Sequence, residues 1–165
     1  MCVDLVVDAS LATCRRAVLV EDSLADVYII SEIVRNSRLS LEVDVLADGE
    51  QAIEFFASLQ QDPGLPRPDV VLLDLNLPRR SGHEVLTWLR STPTFLDLPV
   101  IVVTSSDAEG DRRAAERLGA SAYFRKRFSY EEFLTLNDVI AGVLAGEPET
   151  EPRPAPLATA TASAA

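Results

Sequence analysis

The chain has 165 residues and a formal net charge of −11, with 47% hydrophobic residues against 25% charged. This is the length of one domain, by a prior of about 100–200 residues, and the balance of an ordinary globular protein rather than a disordered one. So acidic a chain is a poor match for DNA phosphates or an anionic membrane surface; its two cysteines, Cys2 and Cys14, form neither a disulfide framework nor a metal-binding pair, which points to a reducing cytoplasm.

Residues 1–16 show no clean period and read as a loose extension. The apolar stretch Val3–Val7 is interrupted by Asp4 and has no basic residues before it, so it resembles neither a signal peptide nor a membrane span. From 17 to 145 the chain reads as one folded unit. Short apolar runs, Ala17–Val20, Leu41–Leu46, Val70–Leu73, Val100–Val103 and Ala120–Phe124, alternate with segments of helical spacing. Val27, Ile30 and Val34 mark the first such segment. Ala52, Phe55, Phe56 and Leu59 mark the second, and Val85, Leu86 and Leu89 the third. The fourth, Ala108, Ala114, Ala115 and Leu118, is the weakest, and the fifth runs through Phe133, Leu136, Ile140, Val143 and Leu144.

Each helical segment opens on a capping pattern: Ser23 with Asp26, Asp48 with Gln51, Ser81 with Glu84, Ser106 with Glu109 and Ser129 with Glu132. Phe128 and Phe133 are spaced for a hydrophobic staple at the last of them. Residues 146–165, which carry EPETEPRPAPLATATASAA from Glu147, hold too little apolar surface to offset ordering entropy and read as a disordered tail.

Strand and helix in strict alternation predict an α/β fold, a doubly wound parallel sheet of (βα)5 type. Continuously apolar runs suit strands buried on both faces, whereas the alternation of Leu41-Glu42-Val43-Asp44-Val45 suits an edge, and Ser121–Phe124 the other edge. Right-handed crossovers then give the flavodoxin-like strand order 2-1-3-4-5.

Ligands in such sheets bind beyond the carboxyl ends of the strands. Those ends carry Glu21-Asp22, Asp74, Thr104-Ser105 and, past the last strand, Lys126. Three neighbouring carboxylates repel one another unless a cation intervenes. With oxygen donors only, a hard ion such as Mg²⁺ fits best. A carboxylate beside a metal ion and a lysine can attack phosphorus and form an acyl phosphate.

In these motifs, Val-Glu-Asp-Ser, Leu-Leu-Asp-Leu-Asn-Leu-Pro, Val-Val-Thr-Ser and Tyr-Phe-Arg-Lys, the sequence resembles the receiver domains of two-component response regulators. The wording around Asp74 resembles the small stand-alone regulators that partner phytochrome-type histidine kinases. The resemblance implies Asp74 as phosphoacceptor. Glu21 and Asp22 become the acidic pair at Mg²⁺, with Asp22 the direct ligand, and Asn76 offers its backbone carbonyl to the same ion. Thr104 and Lys126 bind the phosphoryl group, Thr104 and Tyr123 act as the switch pair, and Pro78 and Gly82 shape the loop after the acceptor. It implies a sensor histidine kinase or phosphotransfer protein as donor and output through protein–protein contact, and it leaves self-association into a homodimer open. The chain would catalyse only its own phosphorylation and dephosphorylation.

A pseudo-receiver that serves as a constitutive interaction module is the alternative, opposed by intact Asp22, Asp74, Thr104 and Lys126. A phosphatase of the haloacid dehalogenase kind needs a second Asp at the position of Asn76 and is set aside. Arg127 stands where the family has a proline after the lysine, typically in a cis peptide. A cis bond before a non-proline costs about 2.5–4 kcal/mol, so a trans bond is expected there. His83 is expected at the surface and Trp88 in packing on the third helix.

Overall fold

The computed structural model describes residues 14–126 and 129–146. Expectations for residues 1–13, the Lys126–Arg127 peptide, the Phe128 staple and residues 147–165 lie outside these residues.

Five parallel strands, β1 (Arg15–Val20), β2 (Leu41–Leu46), β3 (Val70–Leu73), β4 (Val100–Thr104) and β5 (Ala122–Arg125), form one sheet in the order β2-β1-β3-β4-β5. This is the flavodoxin-like order expected from strand composition. β1 starts two residues before its apolar run, because Arg15 and Arg16 pair with Leu41 and Glu42 of β2. The Arg16 side chain also reaches Asp44.

Among the described residues six α-helices cover the sheet: α1 (Leu24–Arg35), α2 (Gly49–Gln61), α3 (Gly82–Ser91), α4 (Glu109–Arg117), α5 (Tyr130–Leu134) and α6 (Leu136–Ala145). The period-2 rule divides the core in two. Ala17, Leu19, Val70, Leu72, Ile101, Val103 and Phe124 face α1, α5 and α6. Val18, Val20, Val71 and Leu73 face α2 and α3 through Phe56, Leu86 and Leu89, and Trp88 packs at the border of this layer against Phe95. Asn137 of α6 donates to the Ile33 carbonyl, tying α6 to the end of α1.

Four of the five expected caps form. Ser23, Asp48, Ser81 and Ser129 accept from the backbone N–H three residues on, and Ser81 with Glu84 completes a reciprocal capping box. Ser106 does not cap α4. Its hydroxyl donates to Asp111 and accepts from Ala108 N–H, and the chain stays extended to Ala108, the actual first flanking residue. Only Ala115 of α4 is buried, so packing does not hold the helix start near Ser106. The single last helix expected from periodicity is split at Thr135, whose N–H bonds to the Glu132 carbonyl in a tighter turn while its hydroxyl takes the same carbonyl. His83 is half-buried rather than on the surface. Its Nε2 is covered and has no hydrogen-bond partner among the described residues.

Candidate functional site

Strand register builds the site. Val20 pairs with Leu73, so Glu21 and Asp74, one residue further, lie side by side at the carboxyl edge. Thr104 ends β4 opposite Arg125, and Lys126 follows immediately, its N–H bonded to the Thr104 carbonyl at 2.8 Å. Asp74 N–H bonds to the Val20 carbonyl at 3.0 Å, which holds the end of β3 against β1. Residues from four segments of sequence thus meet at the switch between β1 and β3, where doubly wound sheets bind ligands.

Glu21 and Asp74 are buried, at 2% and 5% exposure, and Asp22 is exposed. Carboxylate oxygens of Glu21, Asp22 and Asp74 converge within 4.8 Å of one another. The Lys126 ammonium lies among them. It donates to Glu21 Oε2 at 2.5 Å, to Asp74 Oδ2 at 2.9 Å and to Asp26 Oδ2 at 2.8 Å. The other oxygen of Asp74, Oδ1, accepts from the Asn76 N–H at 3.1 Å, and Glu21 Oε1 accepts from the Ser23 N–H.

The electrostatics follow from burial set against pairing. Desolvation raises the Glu21 pKa above its ordinary value even though Lys126 and the Ser23 N–H pull it down. Burial would lower the Lys126 pKa, but hydrogen bonds to Asp26, Asp74 and Glu21 outweigh it and raise the pKa instead. Three carboxylates, Glu21, Asp26 and Asp74, share one ammonium and Asp22 stands beside them, so the cluster is an anionic hole lined with oxygen. Such an all-oxygen donor set, with no His or Cys in it, fits a hard divalent cation.

Thr104 is fully buried, and its Oγ1 accepts from Ser106 N–H at 3.3 Å. Tyr123 is half-buried on β5 and donates its hydroxyl to the Ser106 carbonyl at 3.2 Å. The side of the site formed by the loop after β3 depends on Gly82. A Cβ there would stand 2.1 Å from the Asp74 carbonyl oxygen and 2.7 Å from the Leu75 Cα. Arg79 in the same loop takes the left-handed region, φ 66°, and its guanidinium reaches Asp48 and Glu50 at the start of α2. Asn76 is exposed, with its backbone beside Asp74.

Every residue singled out from the sequence, Glu21, Asp22, Asp74, Asn76, Thr104, Tyr123 and Lys126, lies on this edge, with Tyr123 at its periphery. The residue missed is Asp26. In the sequence it reads as the capping partner of Ser23, and its backbone N–H does bond to Ser23 Oγ at 3.4 Å. Its carboxylate, in the first turn of α1, also reaches the lysine. The first turn of a helix that follows β1 must stand over the carboxyl edge, and that is the signal that could have found it.

The profile of the response regulator receiver domain matches residues 17–137. Response regulator Rcp1 of Synechocystis is 38% identical over 108 residues, which span 66% of this chain and 74% of that protein. The crystal structure of the phosphorylated cyanobacterial phytochrome response regulator RcpA superposes with a TM-score of 0.70 at 34% identity, covering 79% of this chain and 94% of that one. The Mn²⁺-bound form of Rcp1 gives a TM-score of 0.67 at 34% identity over 78% and 92% of the two chains. With this fold, this carboxyl-edge cluster and a match over most of its length, the chain belongs to the response regulator receiver domain family.

Proposed function

We propose that this protein is a response regulator whose Asp74 accepts a phosphoryl group from the phosphohistidine of a sensor kinase or phosphotransfer protein. In the transfer the P–N bond breaks and a P–O bond forms at an Asp74 carboxylate oxygen. The imidazole nitrogen keeps the bonding pair and takes up a proton. The observation that carries this reading is the Asp74 carboxylate itself: it is 5% exposed, held by an N–H on one oxygen and an ammonium on the other, beside two further carboxylates.

Each neighbour has a task in this chemistry. The Asn76 N–H orients the acceptor carboxylate, so that only a small rotation presents an oxygen to phosphorus. Lys126 donates to the arriving phosphoryl oxygens, and the buried Thr104 hydroxyl, an acceptor toward Ser106 N–H, keeps its own proton to give to them. Asp22, Asp74 and the Asn76 carbonyl would hold Mg²⁺, with Glu21 beside it. When bound, the ion supplies positive charge against the phosphoryl oxygens. Support for a divalent ion comes from the oxygen-only donor set and from the Mn²⁺ in the Rcp1 structure. Thr104 and Tyr123 act as the switch pair, through the loop that both already touch at Ser106.

A phytochrome-type histidine kinase is the donor this reading favours, on the likeness to RcpA and Rcp1. Leu24 and Tyr28, 85% and 67% exposed on the first two turns of α1, the helix that carries Asp26, give such a kinase an apolar surface to meet. The reading carries a cytoplasmic location and output through protein contact. Incubation with acetyl phosphate and Mg²⁺, followed by intact mass measurement, tests it. One added phosphoryl group is expected in the wild type and none in Asp74→Asn. An unlabelled wild type would favour the alternative, a constitutive interaction module.

A further inference from the structure

The lysine at the site is already saturated. An ammonium has three N–H donors, and Lys126 spends them on Glu21, Asp26 and Asp74, at 2.5, 2.8 and 2.9 Å. For Lys126 to donate to a phosphoryl oxygen, one of these carboxylates must be released. The three are not equal. The Glu21 side chain is 1% exposed, so if released it would stand as a buried charge without its cation. Asp74, 6% exposed, gives up its carboxylate charge when one oxygen bonds phosphorus, but its other oxygen remains a buried carbonyl acceptor that can keep the hydrogen bond from Lys126. The Asp26 side chain is 29% exposed and can exchange the ammonium for water. It also sits in the first turn of α1, where the helix dipole stabilises a carboxylate left alone.

We propose that Asp26 is a positioning residue for phosphoryl transfer: it holds Lys126 in the resting state and is the partner that releases it when a phosphoryl group occupies Asp74. This rests on the phosphoacceptor reading of Asp74 and adds to it a fourth acidic residue with a defined task. The geometry also sets a rival outcome. If the phosphoryl group simply took over the Asp74 hydrogen bond, Asp26 would keep its hold throughout.

The composition makes the test direct, because Lys126 is the only lysine in the sequence. Protein labelled with ¹⁵N-lysine therefore carries one side-chain ammonium signal. It would be followed in the metal-free protein and again with Mg²⁺ and beryllofluoride, a phosphoryl mimic, for wild type and Asp26→Asn. In the metal-free state the two signals should differ, with faster hydrogen exchange in the variant. On saturation with the mimic they should coincide, since both lysines have then left position 26. The variant should also bind beryllofluoride about two- to fivefold more tightly, the scale of a partly exposed ion pair no longer to be broken. Asp26→Ser gives the same test if Asp26→Asn does not fold, which its melting curve would show. A difference between the two signals that persists in the saturated state, or an affinity unchanged or weakened by the substitution, would overturn the proposal. A wild type that binds no beryllofluoride and takes no phosphoryl group would instead overturn the reading of Asp74 and the proposal with it.

Discussion

The Tyr123 hydroxyl donates to the Ser106 carbonyl at 3.2 Å, and Ser106 N–H in turn bonds to the Thr104 hydroxyl, so the aromatic ring and the buried threonine share one loop. A pull on Thr104 from the phosphoryl side therefore reaches Tyr123 through two hydrogen bonds. Tyr123→Phe removes one of them from a half-buried group and should cost about 1 kcal/mol in urea denaturation. Labelling of Asp74 by acetyl phosphate should proceed in this variant as in the wild type, because Tyr123 touches none of the reacting atoms.

The two coupled groups at the centre give a pH dependence with a definite sign. Lys126 has a folded pKa above its ordinary value of 10.5 despite burial, owing to its three carboxylates. Its contribution to stability is therefore complete below the unfolded pKa and is lost only as the pH rises through the folded one. The difference in unfolding free energy between wild type and Lys126→Met should hold steady from about pH 7 to 10 and shrink beyond that. Glu21, raised chiefly by burial above 4.5, contributes in the same sense at acid pH: its share is full below that value and is lost as the pH climbs through the raised one. Glu21→Gln should therefore gain on the wild type as pH rises through that window, measured by denaturant titration at each pH.

Gly82 tolerates no side chain. A Cβ would meet the Asp74 carbonyl oxygen at 2.1 Å, and that atom is backbone, unable to swing aside. Gly82→Ala should destabilise the fold by about 1–3 kcal/mol, the range of overpacking. It should also slow Asp74 labelling by displacing the acceptor loop, as phosphorylation time courses would show.

Leu24 and Tyr28 stand in solvent on the first two turns of α1 and contribute little to the core. The double change Leu24→Ser, Tyr28→Ser should alter stability by no more than about 0.5 kcal/mol. Labelling by acetyl phosphate should be retained, while transfer from a phosphorylated phytochrome-type kinase should fall several-fold. Equal loss with both donors would place the effect inside the site rather than on a docking surface.

Much of this architecture was legible in the sequence because core strands and caps leave local signals. Val-Val-Leu-Leu before Asp74 has no polar break, so a carboxylate there had to stand at the end of a buried strand. The alternation in Leu41–Leu46 placed β2 at an edge, where the sheet has it. What failed were features set by long-range packing. Ser106 carries a capping pattern, but its hydroxyl is taken by Asp111 and Ala108, and α4, with one buried alanine, begins later. His83 has no periodic signature that distinguishes a covered imidazole from an exposed one. Asp26 was hidden by its local role as a capping partner, since a carboxylate that meets a lysine 100 residues away leaves no mark on its neighbours in sequence.

Whether Asp74 carries the phosphoryl group is tested by reductive trapping of the phosphorylated protein with borohydride followed by peptide mapping. Reduction of an acyl phosphate at an aspartate leaves homoserine at that position. Homoserine is expected at position 74, formed only after incubation with phosphodonor and Mg²⁺. Homoserine at Asp22 or Asp26, the longer alcohol that reduction would leave at Glu21, or a phosphorylated chain with Asp74 unmodified would contradict that assignment.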